Sequence, residues 1–196
     1  PVFGTKAGLS LSEISSFVAA FYIGAMVFQF PIGWLSDQMD RRILIVVTSA
    51  IGFIAALSAI VVEGSFLILV GSAFFIGGMS NPLYSLLIAY TNDFLELDDM
   101  ASASGGLLFL NGLGAISGPL FTGYLMTKMG PEGFFIVLAT LLGLLTGYGF
   151  YRMTQRGISD IDTSSYTTVL PTTSVVAMEI AQELAIEAAE EAEETD

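Results

Sequence analysis

Three side chains in one short turn, Asp37, Arg41 and Arg42, are the groups best placed for directional chemistry. They fall in the run Gly33-Trp34-Leu35-Ser36-Asp37-Gln38-Met39-Asp40-Arg41-Arg42. A carboxylate and two adjacent guanidiniums at this spacing can make ion pairs and charge-assisted hydrogen bonds. A carboxylate at a helix end can also accept from backbone N–H groups at the N-terminus of a neighbouring helix, worth about 0.3–1 kcal/mol when exposed and up to about 2 when partly buried. A second set of polar side chains, Tyr22, Gln29, Asn81, Tyr84 and Asn111, lies in apolar surroundings. Each can hydrogen-bond a small solute or another helix. The chain has no Cys and no His. Thiolate chemistry and the usual transition-metal sites therefore lack their ligands, and no paired intramembrane carboxylates supply acid–base chemistry. No catalytic residue, metal site or cofactor is expected, and an enzyme is disfavoured.

The elements that must carry these residues are apolar and long. Of the 196 residues, 54% are apolar and 13% charged, with a mean hydropathy of +0.75. A soluble domain carries about 25% charged residues. The charges are also segregated, because the stretches 14–36, 43–62, 65–92, 100–127 and 133–151 contain none. A bilayer core of about 30 Å needs about 20 helical residues. One such helix can be buried in a soluble domain. Five in succession leave no polar face for water. Period-2 alternation is absent, so membrane strands are a poor alternative.

The expected fold class is therefore all-α, a polytopic integral membrane protein in a lipid bilayer. The transmembrane domain covers 1–153, with spans at about 11–36, 42–62, 65–91, 101–128 and 133–153. Ser10 and Glu13 are spaced as a capping box before the first span. Pro31 is expected to kink the end of that span. Gly77-Gly78 with Asn81-Pro82 signals a break within the third span, and Gly118-Pro119 an interruption of the fourth. Residues 1–9 read as a polar lead, and 92–100 as an acidic loop.

Loop cations set membrane orientation. Arg41, Arg42, Arg152 and Arg156 fall on one side of five crossings, and Lys6 and Lys128 on the other. The arginine side is expected to be cytoplasmic. The N-terminus then lies outside, an arrangement that a preceding helix would repair.

The net charge of -13 comes mainly from the end of the chain, since residues 157–196 hold ten acids and no base. That sign disfavours nucleic acid as a partner. Residues 154–196 read as a cytoplasmic acidic tail: a Ser/Thr-rich disordered linker, then a stretch at 175–194 with helix propensity and an apolar stripe of Val176, Ile180 and Leu184. Its charge opposes adsorption to an anionic leaflet. A solvated tail is favoured over a docking element.

The turn resembles the signature loop of the major facilitator superfamily, which reads Gly, three residues, Asp-Arg, one residue, Gly-Arg-Arg/Lys. Gly33, Asp37, Arg41 and Arg42 match; Gln38 stands where the pattern has Arg, and Asp40 where it has Gly. Gly114-Ala115-Ile116-Ser117-Gly118-Pro119 is similar to that family's Gly-rich, Pro-kinked helix. The resemblance covers roughly residues 5–153. It implies five helices of a six-helix half bundle, with the first helix of the half missing, and a C-terminal half fits best. It also implies that Asp37 and the arginines form a conformational latch between two states, with Arg41 paired to an acid at the end of the third helix present, Asp93. The competing reading is that Arg41 and Arg42 merely anchor the turn.

Transporter sites lie near mid-membrane, often at broken helices. Asn81 and Asn111 stand first among the substrate-pathway candidates because a broken helix exposes backbone groups, followed by Tyr84, Tyr22 and Gln29. The competing role for each is helix packing, at about 0.6 kcal/mol per contact. Gly114, Gly118 and Pro119 are read as kink and packing residues. The resulting expectation is a secondary transporter or facilitator of a small solute, working by alternating access in a bacterial plasma (inner) membrane, together with the missing N-terminal half of the same transporter. The alternative is a non-transporting membrane scaffold or regulator whose acidic tail recruits a partner.

Overall fold

In a computed structural model, the described residues are 2–62, 64–95 and 97–155, with the side chains of 97 and 98 excepted. They form six helices: α1 (Val2–Lys6), α2 (Leu11–Ser36), α3 (Arg41–Val61), α4 (Phe66–Asn92), α5 (Leu97–Met129) and α6 (Gly133–Gln155). Five of them are long and apolar enough to cross a membrane. The tail expected at 154–196, with its linker and acidic stretch, lies outside the described residues from 156 onward.

Local chemistry accounts for the ends of these helices. At the start of α2, the Ser10 backbone N–H donates to Glu13 Oε2 at 2.8 Å and Glu13 N–H donates to Ser10 Oγ at 3.3 Å. This is the reciprocal capping box, which satisfies two orphan donors. The α5–α6 turn passes through Gly130 at φ 86°, a left-handed conformation that a side chain would strain.

Three features differ from the sequence reading. Residues 2–6 are not a loose lead but a single helical turn whose Phe3 is buried among Phe17, Phe134 and Phe135. The fifth helix starts at Leu97, inside the expected acidic loop. Its first turn carries Asp99, and an acid there complements the positive end of the helix dipole. Finally, α4 runs without a break through Gly77, Gly78 and Pro82, and α5 runs through Gly118 and Pro119.

Gly77 has a different task. A Cβ on Gly77 would fall on the backbone carbonyl of Phe21, and one on Gly24 would fall on that of Phe74. The glycines thus let the α2 and α4 backbones lie against each other, as small residues do between membrane helices. Helix α3 then packs on α4 and on α6. Hydroxyl pairs, each with one buried member, tie these seams: Ser58 to Ser72 at 3.0 Å and Thr146 to Ser49 at 2.9 Å.

The outside of this bundle is apolar. Met26, Phe30 and Trp34 on α2 are exposed, as are Phe109, Ile116 and Leu120 on α5. Contiguous apolar surface of this extent is not tolerated in water, and lipid is the solvent that accommodates it. Helix α5 leans on α4 and α6 but leaves its glycine-rich stretch open. A Cβ at Gly112, Gly114 or Gly118 would meet nothing within 4 Å.

The two kinds of glycine predict opposite substitution effects. Gly24→Ala or Gly77→Ala is expected to destabilise the purified chain by about 1–3 kcal/mol through overpacking. Gly114→Ala is expected to be neutral, or stabilising by up to about 1 kcal/mol through helix propensity. Thermal unfolding in detergent, compared across the three variants, checks the contrast.

Candidate functional site

The site is built where three helix ends meet. Helices α2 and α4 finish side by side, and each has an aspartate at its C-cap: Asp37 and Asp93. A carboxylate is unfavourable at the negative end of a helix dipole. Helix α3 begins at the same end, and its first residue is Arg41. The Arg41 side chain enters the gap between the other two helices and is only 1% exposed.

Its guanidinium is bonded on several sides. Nε donates to Ser36 Oγ at 3.1 Å, and Nη1 donates to the Ala89 carbonyl oxygen at 3.2 Å. Nη1 also pairs with Asp93 Oδ1, on a side chain that is 7% exposed. Nη2 lies 3.8 Å from Asp37 Oδ1. Asp37 itself stays about half exposed. One cation therefore answers two C-cap acids and a backbone carbonyl in the last turn of α4.

A cation at the start of α3 is itself unfavourable, and Asp40 offsets it. Asp40 is the N-cap of α3 and accepts from the Arg42 backbone N–H at 2.8 Å. The same carboxylate accepts from Arg42 Nε at 3.1 Å and Nη2 at 2.7 Å. The Arg42 guanidinium bonded to it holds the Asp40 carboxyl below the usual carboxylate range. An aspartate where the resembled loop has Gly thus caps a helix and clamps a neighbouring arginine.

Gly33 is buried one turn before this cluster. Arg41, Asp93 and Asp37 are brought together, while Arg42 is held by Asp40. Sequence reading missed Ser36 and the Ala89 carbonyl. The Ser36 hydroxyl, fully buried immediately before Asp37, was visible only as a small residue in an apolar run. Asn92, adjacent to Asp93, has a buried Oδ1 with no hydrogen-bond partner among the described residues.

The substrate-pathway candidates are more dispersed. Ile88 gathers Tyr84 from its own helix and Leu107 and Leu108 from α5. Asn111 follows one turn later on α5, and Asn81 precedes Tyr84 by one turn on α4. Tyr84 therefore sits on the α4–α5 seam, and helical spacing puts Asn81 and Asn111 on the same faces of α4 and α5 as the residues that meet there. Gln29 is half-buried on α2. Tyr22 points to the open side, 65% exposed, with its ring against Phe21. No described helix packs against Gly114 or Gly118. Among the described residues no group of three His, Cys, Asp or Glu could hold a metal ion. At the opposite end from the arginines, Lys6 Nζ donates to Thr127 Oγ1 at 3.2 Å, and Lys128 lies 5.9 Å from the Tyr124 ring centroid.

The depressed Asp40 pKa has a pH consequence of definite sign. A folded-state pKa below the unfolded one adds stability that is present above the ordinary carboxylate range and is lost as pH falls through the folded value. Asp40→Asn is therefore expected to be less stable than the parent at about pH 7 and to converge with it in strong acid. Denaturation of both proteins across that range checks this. A difference that does not depend on pH would contradict it.

The comparisons with known proteins agree with this architecture. The family model described as Major Facilitator Superfamily matches residues 1–170. The chain is 33% identical over 145 residues to the uncharacterized MFS-type transporter YfkF of Bacillus subtilis (strain 168), covering 72% of this chain and 36% of that protein. It is 26% identical over 146 residues to the uncharacterized MFS-type transporter YcaD of Escherichia fergusonii, again covering 72% and 36%. The chain thus spans little more than a third of the length of these relatives. No solved structure matches it. A helix-only, membrane-suited bundle whose charged turn ties three helix ends, matched by the family model over most of its length, places this chain in the Major Facilitator Superfamily.

Proposed function

We propose that this chain is the C-terminal part of a carrier that moves a small solute across a membrane by alternating access. In this reading the Arg41 bridge is a latch that holds one of two arrangements at the arginine end. The observation that carries the reading is the burial of Arg41 against Asp93, Ser36 and the Ala89 carbonyl. A turn held to the membrane surface only by charge needs no buried guanidinium; one that locks helix ends together does. Asn92 Oδ1, buried next to the latch with no partner among the described residues, supports the same reading, because a buried acceptor without a donor costs about 1–3 kcal/mol and is relieved by a change of neighbours.

The arginine end is the cytoplasmic one in this proposal. Arg41, Arg42 and Arg152 gather there and Lys6 and Lys128 at the other end, which follows the positive-inside rule. The α4–α5 seam with Asn81, Tyr84 and Asn111 forms one wall of the solute path, Gln29 and Tyr22 lie on the neighbouring α2, and the other wall comes from the rest of the transporter. Chemical conversion of the solute is not part of this role. Deep Asp, Glu, Lys or Arg side chains usually mark coupling-ion paths, and the described spans have none at mid-length. Coupling, where it occurs, then depends on residues outside these spans.

The absence of Cys from these 196 residues gives a direct test once any cysteine elsewhere in the full-length transporter is replaced. In that background Asn111→Cys is expected to react with a membrane-impermeant maleimide from either face, depending on conformation. Adding Arg41→Gln is expected to raise labelling from the arginine face by about tenfold or more, because removing one partner of a buried pair costs about 3–5 kcal/mol and a loss of about 1.4 kcal/mol from one arrangement already shifts the balance tenfold. Labelling from neither face, or labelling indifferent to Arg41, would remove the latch and the path together.

A further inference from the structure

A second charged feature lies on the same end of the bundle and takes no part in the Arg41 bridge. A cavity of about 150 Å³ opens between α3, α4 and α6. Its rim carries Arg42, Tyr90, Tyr148 and Arg152. Arg42 is the second residue of α3, Tyr90 lies two residues before the end of α4, and Arg152 three before the end of α6. All three therefore sit within a turn of a helix end, at the depth where a bilayer places its headgroups. Ile45 and Leu145 form the floor, about one turn deeper than Arg42 and about two turns deeper than Arg152 along their helices. The cavity is polar toward the membrane surface and apolar toward its interior.

Its charge is as graded as its polarity. Arg42 is bonded to Asp40, so Arg42, Arg152 and Asp40 together leave one net positive charge at the rim. A phosphodiester carries one negative charge. Guanidiniums bind its oxygens through a fork of N–H donors, and two phenol hydroxyls can donate as well. Tyr148 is 59% exposed and Arg152 is exposed too, so the cavity is open on the α6 side. A lipid could place its headgroup on the rim and leave its acyl chains in the bilayer. The half-buried Tyr90 near the end of α4 and the exposed Tyr148 about two turns before the end of α6 have amphipathic rings that suit an interfacial position.

We propose that this cavity is a binding site for the headgroup of an anionic phospholipid, with Arg152 and Tyr148 as the accessible contacts and Arg42 as the inner one. The site requires residence in a membrane but not transport, and it does not depend on which face is cytoplasmic. Basic pockets between membrane helices are suited to such headgroups, and an arginine near an anionic surface contributes about a fivefold gain in binding.

The test is lipid retention by the full 196-residue chain in detergent, read by native mass spectrometry. Phosphatidylglycerol and phosphatidylcholine with matched acyl chains are the probes, with glycerol 3-phosphate as the lipid-free control. Phosphatidylglycerol is expected to be retained about fivefold better than phosphatidylcholine, and Arg152→Gln is expected to remove most of that preference. Arg152 is exposed at a helix end, so the variant should keep the fold, and Arg152→Lys, which keeps the charge, is expected to retain at least half of the preference. Equal retention of the two lipids would overturn the proposal. So would an Arg152→Gln chain with its preference intact, an Arg152→Lys chain as deficient as Arg152→Gln, or glycerol 3-phosphate binding as tightly as phosphatidylglycerol.

Discussion

The structure depends on one buried guanidinium. Helices α2 and α4 each end in an aspartate, where their own dipoles disfavour it, and α3 begins with arginine, where its dipole disfavours that too. Each is poorly placed alone. Set side by side, the misplaced charges satisfy one another, with Arg41 between Asp37 and Asp93. Breaking such a buried pair by removing one partner costs about 3–5 kcal/mol, because the other charge is left without compensation. The arrangement is therefore close to all or none, as the latch proposed above requires.

The rest of the bundle makes this end possible. The glycine contact between α2 and α4 brings their axes close enough for Ser36, Ala89 and Asp93 to reach the same guanidinium. The α3–α4 and α3–α6 hydroxyl contacts hold α3 in register without placing charge in the apolar middle. Among the described residues the ion pairs lie at the arginine end, and close packing with neutral hydrogen bonds holds the spans together. Lipid favours this division, since it punishes an unpaired charge far more than an unpaired methyl group.

Much of this was legible in the sequence. Uncharged runs of about 20 residues read directly as spans, and the Ser10–Glu13 spacing marked the start of α2 because a cap is a local property. Arg41 and Asp93 were paired through the family resemblance and not from spacing, since 52 residues separate them. Two of the misreadings share a cause. Gly77-Gly78 looked like a helix break because glycine lowers helix propensity, whereas its role depends on α2, whose approach no local pattern reveals. The single turn at 2–6 was invisible for the same reason: Phe3 orders it by packing on Phe134 and Phe135, far along the chain. The contributions of Ser36 and of the Ala89 carbonyl were likewise unreadable, because a small hydroxyl and a backbone oxygen acquire a role only once Arg41 is buried between them.

The claim that Arg41 ties three helix ends into one unit is tested most directly by backbone amide hydrogen exchange in the parent and in Arg41→Gln. The account predicts that protection falls together at the end of α2, the start of α3 and the last turn of α4, while the middles of those helices keep theirs. Loss of protection at the start of α3 alone, or no loss at any of the three, would contradict it.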